Sequence, residues 1–176
     1  MMVCRSPFTM YNLPIAYFIT FTTYGTWLHG DCRGSVIRRC GCSEKLPPNT
    51  ALYNYENRLR KHPPVVLNAA QRKIVHDAVI RHCAHRQWYL IALHVRSNHL
   101  HAIVQTNSPI KQVTQQLKQW STRSLRQAGM EAPVVWTSGA SRNYIYEPSK
   151  LRQKVHYVLF EQGEMMEYYV DESICL

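Results

Sequence analysis

Apolar and polar positions along the chain alternate between two periods, and each stretch declares one of them. Ala16 to Trp27 is dense in aromatic and β-branched residues, the composition of a strand. Trp88 to Val95 is almost continuously apolar, as expected of a central strand buried on both faces. Arg96-Ser97-Asn98 then turns the chain into a second apolar run that starts at His99. Between the first two strands, Asn68-Ala69-Ala70-Gln71 reads as an N-cap with its capping-box partner three residues on. Ile74, Ala78 and His82 follow at helical spacing, with Val75 and Val79 beside them, so a helix should run to about His85. Pro109 to Gly129 is the clearest helix: Ile110, Val113, Leu117, Trp120 and Ala128 form a stripe, Lys111, Lys118, Arg123 and Arg126 lie off it, and Gly129 suits the stop. Val134 to Trp136 reads as a short strand and Asn143 to Tyr146 as extended. A last helix starts near Pro148, a residue suited to the first turn, and carries Leu151, Val155, Val158 and Leu159 on its core side.

The order strand, helix, strand, strand, helix, strand, then a final helix, predicts an α+β domain compatible with a ferredoxin-like split βαβ arrangement and an antiparallel sheet. At 176 residues the chain is most simply one domain spanning 1–176. Met1 to Pro14 shows no pattern, and regular structure fades from Asp31 to Pro64, where glycines and prolines punctuate a basic insertion. Tyr53 and Tyr55 lie close to that positive charge, a combination that can stack bases or simply be solvated.

Charge sharpens the picture. Lys plus Arg number 21 against 11 Asp plus Glu, a formal +10, with a pI near 9.5. Such a chain suits a polyanion, nucleic acid first and an anionic membrane surface second. No apolar run reaches the ~18 residues needed to cross a bilayer, and no signal pattern opens the chain. The expectation is a cytoplasmic protein with no membrane partner. Six cysteines show no framework spacing and read as thiols. His29, Cys32, Cys40 and Cys42 are close enough in sequence to raise a structural zinc, although C-x-C is not the spacing of the common zinc modules.

The chemistry concentrates in Asn98-His99-Leu100-His101. Successive strand side chains alternate faces, so His99 and His101 share one, roughly 6.5 Å apart by strand rise. Two imidazoles at that spacing can converge on a divalent ion, or can be ordinary half-buried strand histidines.

This segment, an Asn-His-Leu-His after an apolar strand and a short turn, resembles the His-hydrophobic-His motif of the HUH nucleases. More narrowly it is similar to their single-tyrosine transposases, including the REP-associated tyrosine transposases. The resemblance covers roughly Ala16 to Gln162 apart from the basic insertion, and Tyr24-Gly-Thr-Trp-Leu-His-Gly-Asp31 is similar to a segment of one REP-associated branch. Two departures stand out: His94 replaces a commonly apolar residue, and Arg96-Ser97 stands where Met-Pro is commoner. The resemblance implies a ferredoxin-like domain in which His99 and His101 bind Mg2+ or Mn2+, single-stranded DNA or DNA hairpins as partner, and a nucleophilic tyrosine on a C-terminal catalytic helix. It implies nicking and rejoining through a 5′-phosphotyrosine intermediate. Relatives often form dimers that exchange helices, so a homodimer is an assembly the resemblance leaves open.

On the last helix, with Leu151 at zero, Tyr157 falls at about 240°, off the core stripe and on the side of Lys150, Lys154 and Glu161. Val155-His156-Tyr157-Val158 resembles the nucleophile segment, whereas Tyr144 and Tyr146 precede the helix. Three residues compete as third metal ligand. Glu161 lies about 40° from Tyr157 around a regular helix. Gln162 matches the amide usual in the family, provided a π-bulge widens the helix. His94 would face His101 if Ser97-Asn98 were a two-residue turn. The regular-helix argument favours Glu161. The rival functions are a nucleic-acid-binding module without catalysis and a zinc hydrolase built on His94, His99 and His101.

Overall fold

In the computed structural model, residues 13–39 and 42–174 are described. Strand β1 (Ala16–Thr22) leads into a hairpin of β2 (Ser35–Arg39) and β3 (Cys42–Leu46) and a helix α1 (Thr50–Leu59). There follow α2 (Ala69–His85), β4 (Tyr89–Val95), β5 (His99–Gln105), α3 (Ile110–Gln127), β6 (Ser141–Ile145), α4 (Pro148–Phe160) and β7 (Glu167–Val170). The main sheet has the order β6-β1-β5-β4-β7, with every described pairing antiparallel. Leaving out the hairpin, α1, α4 and β7, the order βαββαβ with strands β6-β1-β5-β4 is the expected ferredoxin-like domain.

Side-chain alternation sorts the core into two layers. Ile19 and Phe21 of β1, Leu93 and Val95 of β4 and Leu100, Ala102 and Val104 of β5 pack against Val75 and Val79 of α2 and Val113, Leu117 and Leu125 of α3. The opposite face sends Ala16, Phe18, Ala92 and Ile103 against Val155, Val158 and Leu159 of α4. A register shift between Leu90 and Ala92 interrupts β4, and with helices over both faces this strand is apolar nearly throughout. The α2 capping box forms as expected, Asn68 Oδ1 accepting from Gln71 N and Gln71 Oε1 from Asn68 N.

Several expectations need correcting. The first strand stops at Thr22, because Thr23 donates its N–H to Asn98 O and Tyr24 donates to Val135 O. Val134–Trp136 is no strand; only Trp136 bridges, to Thr23. Trp120 does not complete the α3 stripe: it is exposed, stacked on His82 of α2 and covered by Arg123. The basic insertion contains β2, β3 and α1 rather than fading into a loop. Of the predicted zinc group, Cys40 lies outside the described residues, and His29 Nδ1 is paired with Ser35 Oγ. Met1 to Asn12 also lie outside them. No described helix is long and apolar enough to cross a membrane.

Candidate active site

His99 and His101 project from β5 toward the α4 side of the sheet, their ring centroids 4.8 Å apart. Each is oriented by a neighbour. His99 Nδ1 donates to Asn98 Oδ1 at 2.7 Å, leaving Nε2 free to act as a donor of electrons. His101 Nδ1 meets Thr20 Oγ1 at 2.7 Å, the residue opposite it on β1. Its Nε2 meets Gln162 Oε1 at 2.9 Å. Burial holds both imidazoles neutral: the His99 pKa is lowered to about 4, and that of His101, with the His99 charge adding to burial, to about 3. Arg33 is near enough for its charge to contribute at His99.

The end of α4 supplies the rest. Tyr157 is half-buried, its ring edge-on to His101 at 5.7 Å and to Phe18 at 6.0 Å between centroids. Lys154 Nζ lies 5.4 Å from the Tyr157 ring and 5.2 Å from that of Phe18. The helix angle put Tyr157 off the core stripe, but its ring packs against the α4-side core at Phe18 and, on the same side of the sheet, against His101. Tyr144 and Tyr146 instead stack on each other, both exposed.

The structure does not bring Glu161 to the histidine pair. It is exposed and faces His156 Nδ1 at 3.2 Å. The reason is where the helix stops: Glu161 is already the C-cap, with φ −103 and ψ 17, so angular arithmetic along a regular helix no longer holds beyond Phe160. Gln162 folds back under the last turn, its Nε2 donating to Tyr157 O at 3.1 Å. No π-bulge is needed, and Gly163, at φ +79, carries the reversal.

His94 does lie opposite His101 across a two-residue Ser97-Asn98 turn. Both its nitrogens are engaged elsewhere, however. Nδ1 donates to Val158 O at 2.7 Å, and Nε2 accepts from Met166 N at 3.2 Å, in a fully buried ring. That removes the third histidine from the zinc-hydrolase alternative. Among the described residues no cluster of three or more His, Cys, Asp or Glu could hold a metal; the convergent set is two imidazoles and the Gln162 amide. Thr20 and Phe18 had no signal in the sequence, because only the pairing of β1 with β5 brings them to His101, Thr20 directly opposite it and the Phe18 ring stacked on it at 5.6 Å between centroids.

A family match gives the class, that of a transposase. The family model of IS200-like transposases matches residues 59–158, more than half of the chain and a span that holds His99, His101 and Tyr157. The chain therefore belongs to the IS200-like transposase family, whose members cleave DNA. Among solved structures, a REP-associated tyrosine transposase bound to a REP hairpin shares the fold, with a TM-score of 0.50 at 14% identity over 92% of this chain and 72% of that one. A candidate transposase from Deinococcus radiodurans R1 has a TM-score of 0.42 at 15% identity, over 88% of this chain and 93% of that one. No curated protein matches the sequence.

Proposed function

We propose that this chain nicks and rejoins single-stranded or hairpin DNA, with Tyr157 as nucleophile. The observation that carries the reading is the convergence of His99, His101 and the Gln162 carbonyl oxygen at the end of α4, where the Tyr157 ring lies 5.7 Å from that of His101. In the step, the Tyr157 oxygen forms a bond to phosphorus, the phosphorus–O3′ bond breaks, and the phenolic proton is lost while the 3′-oxygen gains one. The 5′-phosphate stays on the tyrosine, which conserves the bond for rejoining. A hydroxyl nucleophile is weak until it loses its proton; the Lys154 ammonium stands 5.4 Å from the centroid of the Tyr157 ring.

The donor set fits a divalent ion. Two neutral imidazoles and an amide oxygen are acceptable to Mg2+ or Mn2+, and better to Mn2+. His99 Nε2, His101 Nε2 and Gln162 Oε1 would hold it, with Asn98 and Thr20 orienting the rings from behind. When bound, such an ion polarises the scissile phosphate and offsets its growing charge. The REP hairpin carried by the similar solved structure makes hairpin DNA the first substrate to try. In this reading residues 1–176 act as one domain, with the 31–64 insertion as its elaboration.

The test is a denaturation-resistant complex on single-stranded DNA carrying a terminal hairpin, with Mn2+. Wild-type protein should form it and Tyr157→Phe should not. His99→Ala with His101→Ala should lower its rate by at least about a hundredfold while retaining the fold by circular dichroism. An adduct formed by Tyr157→Phe overturns the nucleophile. DNA binding without any adduct in the wild-type chain favours the non-catalytic binding module.

A further inference from the structure

The segment Tyr24-Gly-Thr-Trp-Leu-His-Gly-Asp31 has no part in the site described above, yet it is built against it. Asn98, the residue before His99, uses its carbonyl to accept from Thr23 N, Thr23 Oγ1 and Thr26 Oγ1, at 2.8, 3.1 and 3.3 Å. Arg33 Nη2 in turn donates to Thr26 O at 2.8 Å. The Arg33 guanidinium is locked in a two-point pair with Asp31, Nε to Oδ1 and Nη2 to Oδ2, each 2.7 Å. It lies 4.6 Å from the centroid of the Trp27 ring. Trp27 is itself anchored, its Nε1 donating to Gly34 O at 2.7 Å. Even so, 41% of Trp27 stays exposed. The base of the platform is rigid: a Cβ on Gly30 would lie 2.3 Å from Asn49 O and 2.6 Å from Tyr53 N, so only glycine lets α1 close against it.

The Trp27 ring is held in one orientation and left partly open, on the segment whose Thr26 hydroxyl caps the Asn98 carbonyl next to His99. The guanidinium is planar and its charge is already countered by Asp31, so the pair offers π-faces more than net charge. An unpaired nucleobase has the matching chemistry, a flat polarisable ring that stacks on indole and guanidinium without sequence preference. Resting on the transposase reading for its position along the strand, we propose that Trp27 and Arg33 form a stacking seat for one base of single-stranded DNA next to the scissile phosphate.

The probe is a fluorescent oligothymidylate of about fifteen nucleotides, compared with an all-abasic strand of the same length that keeps the phosphates and lacks the bases. Trp27→Leu keeps bulk beneath Arg33 and removes the aromatic face. It should weaken oligothymidylate binding about tenfold, in the range of one stacked base, and leave abasic binding and its salt dependence unchanged. Trp27→Phe should recover most of the loss. Wild-type binding that is equal on the two strands overturns the seat, as does a Trp27→Leu loss that is absent or equal on both. With a cleavable hairpin strand, the half-saturating DNA concentration for adduct formation should rise similarly in Trp27→Leu, the saturating rate changing less than about twofold. An unchanged half-saturating value overturns the placement beside the scissile phosphate. If the wild-type chain forms no adduct but binds oligothymidylate through Trp27, the transposition chemistry fails and the seat stands.

Discussion

Gln162 performs two tasks with one amide: its Nε2 donates to the Tyr157 carbonyl and its Oε1 faces His101 Nε2. The Tyr157 carbonyl and the oxygen that faces His101 are thereby tied through a single amide group. Manganese titration should separate this residue from its neighbour, with Gln162→Ala losing at least about tenfold in affinity and Glu161→Ala within about twofold. A larger loss in Glu161→Ala would show that the C-cap rearranges when the ion binds. His82 offers a pH test away from the site. It lies buried between α2 and α3, its Nε2 paired with Gln116 Oε1 and its ring stacked on Trp120. Burial lowers its pKa below 6.5, and the Arg86 and His85 charges add to that, while the Gln116 hydrogen bond opposes it. The unfolded chain therefore binds the proton more readily, so the contribution of a neutral His82 is full above about pH 6.5 and is lost as pH falls below it. Urea midpoints measured at about pH 7.5 and 5.5 should fall more in wild-type protein than in His82→Gln. The shared face of His99 and His101 was legible at this scale, because strand parity is local. Tyr157 was singled out by the resemblance, and its packing on Phe18 was not legible, since it depends on how α4 sits on the sheet. Nor was the choice between Glu161 and Gln162, since it depends on the residue at which α4 ends.

Among the elements, α4 carries the nucleophile in the proposed mechanism, and His94 of β4 pins the end of that helix. The ring bridges the Val158 carbonyl in the last turn to the Met166 amide in the segment that returns to β7. Removing it leaves the buried Val158 carbonyl and the part-buried Met166 amide without this partner, which should cost about 3 kcal/mol. His94→Ala should unfold at lower urea and form the DNA adduct more slowly. Once folded, it should keep most of its manganese affinity, because neither His94 nitrogen is free for a ligand. A loss of metal binding equal to that of His101→Ala would return His94 to the metal site. The helices α2, α3 and α4 could be read from the sequence, since each carries an apolar stripe or a terminal signal. Helix α1 could not, as none of its residues is buried and its only clear mark is the Asn49 cap. Strand β7 was missed because four residues show too little alternation, and only pairing with β4 extends them.

For the whole molecule, the question is whether one chain carries a complete site. Here the Tyr157 ring lies beside His101 of its own chain, and α4 packs through Val155, Val158 and Leu159 on its own sheet. A dimer that exchanged this helix would have to remove those side chains from one core and rebury them in another. That exchange leaves the buried area nearly unchanged, so energy alone does not forbid it. Mixing two inactive variants decides the matter. His99→Ala with His101→Ala supplies only a good tyrosine, and Tyr157→Phe supplies only a good histidine pair. If each site is assembled within one chain, the co-refolded mixture should form no more adduct than the sum of the separate variants. If α4 is exchanged, heterodimers contain one site with both parts intact, and about half of the dimers in an equal mixture recover activity by random pairing. The arrangement beside His101 predicts the first outcome, read from the adduct formed per mole of Tyr157-bearing chain.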